Sequence, residues 1–85
     1  MPNDERPARR HLCDLEAGAQ ARVSGVEGPP DVVRRLGELG VLPGVAVRVV
    51  RRAPFGCPLE FDLEGVRYAV RRSTAEAVFV EEDRS

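Results

Sequence analysis

Residues 59–70, LEFDLEGVRYAV, restrict the fold more than any other part of the chain. Leu59, Phe61 and Leu63 alternate with Glu60, Asp62 and Glu64, and after Glu64-Gly65 the residues Val66, Tyr68 and Val70 alternate with Arg67, Ala69 and Arg71. A period of two gives each segment one apolar and one polar face, and a Glu-Gly link suits a two-residue hairpin turn. Any fold containing this hairpin must therefore cover one face of a sheet. On the other face, carboxylates on the first strand oppose Arg67 and Arg71 on the second. Such exposed pairs are worth about 0.2–1 kcal/mol each, which favours the pairing without determining the fold.

The preceding segments extend the same pattern. Val45, Val47 and Val49 alternate with Ala46, Arg48 and Val50, predicting a strand closed by Arg51 and Arg52. Upstream, AQARVSGVE over residues 19–27 predicts a first strand with a bulge at Ser24-Gly25. Gly28-Pro29-Pro30 ends it, and Asp31 is in position to cap a short helix whose apolar face is Val32, Val33, Leu36 and Leu39. Gly40 suits the left-handed residue after that helix, and Pro43-Gly44 has the order of a type II turn. Leu12 and Leu15 share one side of a turn near the start. Ser73-Thr74-Ala75-Glu76 matches a capping box opening one helical turn, and Val78, Phe79 and Val80 supply a last short strand. About five short strands and one inserted helix, in a chain too short for two sheets, predict a mainly β fold: a small, strongly bent barrel.

With 85 residues there is room for one core and no deep cleft. Residues 1–10 and 82–85 are expected to be tails and residues 11–81 the domain. Thirteen Lys+Arg against fourteen Asp+Glu give a net charge of −1, so no overall field attracts nucleic acid or an anionic membrane. The N-terminus lacks the apolar run of a signal peptide, and no stretch approaches the roughly 18 apolar residues of a membrane span. Two cysteines are too few for a disulfide scaffold. A cytoplasmic location is expected, with contact to a membrane only through a partner.

Two separate signatures then stand in order: Leu36 to Gly44, LGELGVLPG, before a valine-rich strand, and Ala53-Pro54-Phe55-Gly56-Cys57-Pro58-Leu59 after it. With Ala69-Val70-Arg71 and the closing Ala-x-x-Val-x-Val, this resembles the FeoA family over about residues 12–80. The resemblance implies an SH3-like small barrel with an inserted helix. It also implies a cytosolic accessory of the ferrous-iron transporter FeoB, a membrane permease carrying a GTPase domain. The family loop usually reads Ala-Pro-Leu-Gly-Asp-Pro, and this chain departs from it at Phe55 and Cys57.

No catalytic set is present, since the serines have no base beside them and no phosphate-cradling loop occurs; an enzyme is not expected. Nor is a cofactor. His11, Cys13 and Cys57 are the soft metal ligands available, an incomplete set for zinc or iron, so they are the weakest of the candidate sites and no metal centre is expected. The partner-binding candidates are Phe55 with Arg51, Arg52, Arg71 and Arg72 as a basic rim, and Leu42 beside the Pro-Gly turn. Gly40, Pro43, Gly44, Pro54, Gly56 and Pro58 are assigned to backbone geometry. The resulting expectation is an adaptor for the permease, without nucleic-acid binding and with a homodimer possible. The alternative is a metal-responsive regulatory module of the kind found at the C-terminal end of iron-dependent repressors.

Overall fold

The structure is a computed structural model that describes residues 10–54 and 57–82. Phe55 and Gly56, and the expected tails apart from Arg10 and Glu82, lie outside the described residues.

Among the described residues six antiparallel strands form one sheet: β1 (Arg10–His11), β2 (Gln20–Val26), β3 (Ala46–Arg52), β4 (Leu59–Leu63), β5 (Val66–Val70) and β6 (Val78–Glu82). Their spatial order is β1-β6-β2-β3-β4-β5. Two helices interrupt them, α1 (Pro30–Leu39) and the single turn α2 (Arg72–Ala75), and a short 3-10 turn covers Leu12–Asp14. The expected barrel closure is not made. Among the described residues β5 pairs with β4 alone and β1 with β6 alone, so the sheet is open with two edges.

The β4–β5 hairpin pairs Leu63 with Val66, Asp62 with Arg67, Phe61 with Tyr68 and Leu59 with Val70. Glu64 (φ 51°) and Gly65 (φ 90°) both adopt positive φ, the combination of a type I′ turn whose twist matches the flanking strands. Leu59, Phe61 and Leu63 are buried. The β5 row is not: Val66 is 51% exposed, and Tyr68 and Val70 are half-buried. An edge strand has a neighbour on one side only, which alternation in the sequence does not reveal.

Bulges shift the register at two places, between Val23 and Gly25 against β6 and between Val49 and Arg51 against β4. Each inserts an extra residue that bends its strand and increases the twist. Past the second, Arg51 stands opposite Glu60 and Arg52 opposite Leu59, and both arginines are exposed at the end of β3. Bent in this way, the sheet gathers Leu12, Leu15, Val23, Leu36, Val41, Val49, Phe61, Val78 and other apolar residues into one cluster that contains no buried polar side chain.

Helix α1 begins two residues earlier than the sequence suggests. Its N-cap is Pro29, which makes no side-chain cap bond, and Pro30 fills the first turn, where the missing N–H would be unpaired anyway. Asp31 is thus a first-turn acid near the positive end of the helix dipole, not the cap. Leu36 is the residue the helix buries fully, with Val32, Val33 and Leu39 half-covered. Gly40 ends the helix at φ 99°, donating to the Gly37 carbonyl. The Pro43-Gly44 turn is closed by Val45 N–H to Leu42 O at 3.1 Å, with Gly44 at φ 94°.

Two further expectations are corrected. The capping box at Ser73 and Glu76 does not form, because α2 starts at Arg72 with Arg71 as an N-cap lacking any side-chain bond. Glu76 instead meets Arg72 one turn back, at 3.4 Å. The sixth strand, β1, is two residues long and pairs Arg10 with Val80 and His11 with Phe79.

Gly37 and Gly40 separate conformational cost from packing cost. A Cβ at Gly37, inside α1, meets nothing within 4 Å, whereas Gly40 holds a left-handed φ with Leu63 at an ordinary 3.7 Å. Gly37→Ala is expected to raise stability by about 0.5–1 kcal/mol and Gly40→Val to lower it by about 1 kcal/mol or more, as read by urea denaturation.

Candidate functional site

The register aligns Arg52 of β3 with Leu59 of β4, and Leu59 with Val70 of β5. Arg51, Arg52, Arg71 and Arg72 therefore stand at one end of the sheet, the end where the chain turns through residues 53–58. That loop is pinched at its base by Ala53 N–H donating to the Pro58 carbonyl at 3.2 Å, and the Cys57–Pro58 peptide is cis. Its far side is fastened to α2, where the Arg72 backbone N–H donates to Cys57 Sγ at 3.4 Å. Sulfur is a weak acceptor, so this bond fastens the loop less firmly than an oxygen acceptor would.

The four arginines divide into two pairs. Arg52 donates from Nη1 to the Leu15 carbonyl at 3.1 Å, and Arg72 Nε lies 3.4 Å from Glu76 Oε2. Those two brace the fold. Arg51 and Arg71 are exposed, and their side chains have no hydrogen-bond or ion-pair partner among the described residues. Their guanidinium groups remain available to an acidic surface. Phe55, the aromatic candidate of this loop, lies outside the described residues.

Leu42 is not part of that end. It flanks the Pro43-Gly44 turn leading into the start of β3, and it is 52% exposed. Val66 is found at the same end, opposite Leu63, which itself pairs with Val47. These are the two exposed large apolar residues among those described. Gly40 and Gly44 hold positive φ at their turns, and Gly56 lies outside the described residues.

His11, Cys13 and Cys57 do not form a shared ligand set. His11 and Cys13 line a shallow open depression of about 600 Å³, together with Asp14, Glu27, Arg72, Glu76 and others, and Cys57 is not among the lining residues. His11 Nδ1 lies 2.6 Å from the Glu76 carbonyl oxygen, and its ring packs on Phe79 with centroids 4.4 Å apart. Burial pushes the Cys13 thiol above its ordinary pKa, and the Asp14 and Glu76 carboxylates add to the rise. A thiol held protonated is a poor metal ligand. Among the described residues no group of three or more His, Cys, Asp or Glu is placed to hold a metal ion. The His11–Phe79 contact was missed in the sequence, where Phe79 was placed only as a strand residue, because nothing in the local pattern indicates that β1 pairs with β6.

A bent antiparallel sheet with one inserted helix makes this a small, mainly β domain. The chain belongs to the FeoA family: residues 10–82 match the FeoA domain model. Comparison with curated protein sequences returned no match. Among solved structures, the FeoA protein of Chlorobium tepidum is 38% identical, with a TM-score of 0.79, over 86% of this chain and 70% of that one. The zinc-complexed FeoA of Stenotrophomonas maltophilia is 34% identical, with a TM-score of 0.75, over 85% of this chain and 89% of that one. It is described as a prokaryotic SH3 domain protein and a candidate ferrous-iron transport activating factor. A manganese-dependent transcriptional repressor superposes with a TM-score of 0.82 at 20% identity, over 92% of this chain and 38% of that one, a likeness of fold. The family is linked to ferrous-iron transport. Among the described residues, no helix is long and apolar enough to cross a membrane.

The two cysteines differ in exposure as well as environment, Cys57 being exposed and Cys13 partly buried. Limited alkylation with iodoacetamide near pH 8, followed by peptide mass spectrometry, is expected to label Cys57 first and Cys13 only after a clear lag. Equal rates would contradict the burial and charge assigned to Cys13.

Proposed function

We propose that this chain is a non-enzymatic accessory of ferrous-iron transport that binds the cytosolic region of an FeoB-type permease and alters its activity or assembly. Family membership supports the transport context. The observation that carries the binding reading is the pair Arg51 and Arg71, exposed and without partners among the described residues beside the braced loop at one end of the sheet. The loop sits on a rigid base: the Ala53–Pro58 bond, the Arg72–Cys57 bond and the Arg52–Leu15 bond hold its surroundings fixed. A preformed surface loses less conformational entropy on binding than a mobile one.

Its mode of action would be adaptor chemistry. Binding two states of the permease with different affinity shifts their populations, and equal affinity for both would only tether the domain. Phe55 is the apolar anchor of this reading, with Arg51 and Arg71 meeting acidic groups around it. The regulatory alternative draws only on the repressors' fold, and their identity to this chain is too low to extend the likeness to function.

Co-purification of the chain with its permease from detergent-solubilised membranes tests the reading. Wild type is expected to be retained, while Arg51→Glu and Arg71→Glu each weaken retention by about tenfold, the effect of reversing a charge worth some 1.4 kcal/mol at an interface. Retention of the double variant at the wild-type level would sink the basic-rim assignment, and failure of wild type to associate would sink the accessory role.

A further inference from the structure

The open edge at β5 has the properties of a strand-docking site. In a hairpin closed by a two-residue turn the flanking pair, here Leu63 and Val66, exchanges both backbone bonds, and the exchanging pairs then alternate. Tyr68 and Val70 thus direct their N–H and C=O groups toward β4, and Arg67 and Ala69 direct theirs away from it. Among the described residues, no backbone or side-chain group bonds those outward N–H and C=O groups. The strand is regular, containing no proline and no bulge of its own, so the usual devices that blunt an edge are missing apart from charge.

Both faces of the edge specify what would fit. On the inner face, burial falls away from β4 to β5: Phe61 is 0% exposed, its neighbour Tyr68 is half-buried with ring centroids 5.9 Å apart, and Val66 is 51% exposed. One more strand with apolar side chains on that face would complete the cover. On the outer face, Arg48, Asp62 and Arg67 line up across β3, β4 and β5, with Asp62 3.4 Å from Arg48 and 3.6 Å from Arg67. The row reads plus, minus, plus, so one carboxylate is shared between two guanidinium groups. An acidic residue opposite Arg67 would continue the alternation.

A second copy of β5 fits poorly. Antiparallel self-pairing centred on Arg67 sets Arg67 against Arg67, and centring on Ala69 sets Arg67 against Arg71 twice; like charges directly opposite are destabilising. Centring on Tyr68 leaves each Arg67 facing an alanine with no counter-charge.

We infer that the β5 edge binds an extended segment of another protein by strand addition, that segment alternating acidic residues on its solvent face with apolar residues on its inner face. The backbone groups of Arg67 and Ala69 supply the hydrogen bonds, Arg67 sets the charge preference, and Val66 and Tyr68 receive the apolar side chains. This surface adjoins Arg71 at the end of β5 but does not depend on the permease reading.

The test is titration of the isotope-labelled full chain with a capped synthetic peptide, Thr-Val-Glu-Val-Glu-Val-Thr, up to about 1 mM, the range in which a single short strand binds detectably. The backbone amides of Arg67 and Ala69 are expected to shift most, and saturably. Arg67→Glu is expected to weaken the peptide about tenfold, and replacing both peptide glutamates by lysine to weaken it similarly on the wild-type chain. Ala69→Pro, which removes an outward N–H without touching the β4 ladder, is expected to abolish the shifts while leaving the rest of the spectrum in place. Three results would overturn the inference: shifts confined to another surface, equal binding of the lysine peptide, or a concentration-dependent dimer formed through β5 in the absence of peptide.

Discussion

Everything in this fold depends on covering one apolar face of one sheet with very little chain. The buried cluster is entirely apolar, and Phe61 at its centre has no exposed surface. With no buried polar or charged side chain among the described residues, stability rests on area removed from water, about 25 cal/mol per Å². Curvature follows from that constraint. The two bulges bend the sheet around its own side chains, α1 contributes Leu36, and the Leu12–Asp14 turn with Leu15 covers the remaining side. Where the covering stops, at β5, the strand has half-exposed valine and tyrosine side chains and, among the described residues, outward backbone groups without a partner. The edge is a direct consequence of the small size of the chain.

Much of this was legible because the strands obey their period. The alternation over residues 59–70 located β4, β5 and their turn, and the valine row located β3. The Gly-Pro corners gave Gly40 and the Pro43-Gly44 turn, since only a few residue types tolerate those backbone angles. Other features have no local signature. The strand β1 is two residues long and exists only because β6 lies beside it. The capping box at Ser73 does not form because α2 starts one residue earlier, at Arg72, and Glu76 pairs locally with Arg72. Alternation likewise assigned Val66 to the core, yet whether a strand is central or at an edge is decided by topology and not by its own residues.

The candidate surfaces were read with the same asymmetry. Proximity of Arg51, Arg52, Arg71 and Arg72 to one loop followed from chain order, but their division into bracing and free pairs required distances. Arg52 reaches the Leu15 carbonyl across 37 positions of sequence, a contact no spacing rule anticipates. Leu42 was grouped with the arginines as a contact residue and lies at the opposite end of β3. The soft-ligand candidates are separated by the fold itself: His11 is turned onto Phe79 and Glu76, and Cys57 accepts the Arg72 N–H.

Taken together, these features describe a FeoA-family domain that offers two different surfaces, a basic rim braced at one end of the sheet and an open strand along one side. The central claim, an uncovered β5 edge, is tested most directly by amide hydrogen exchange of the free protein, residue by residue. The account predicts strong protection at Tyr68 and Val70, whose N–H groups face β4, with Arg67 and Ala69 exchanging near the rate of exposed backbone. Protection at Arg67 and Ala69 equal to that of Tyr68 would contradict it, since the edge would then be covered in solution.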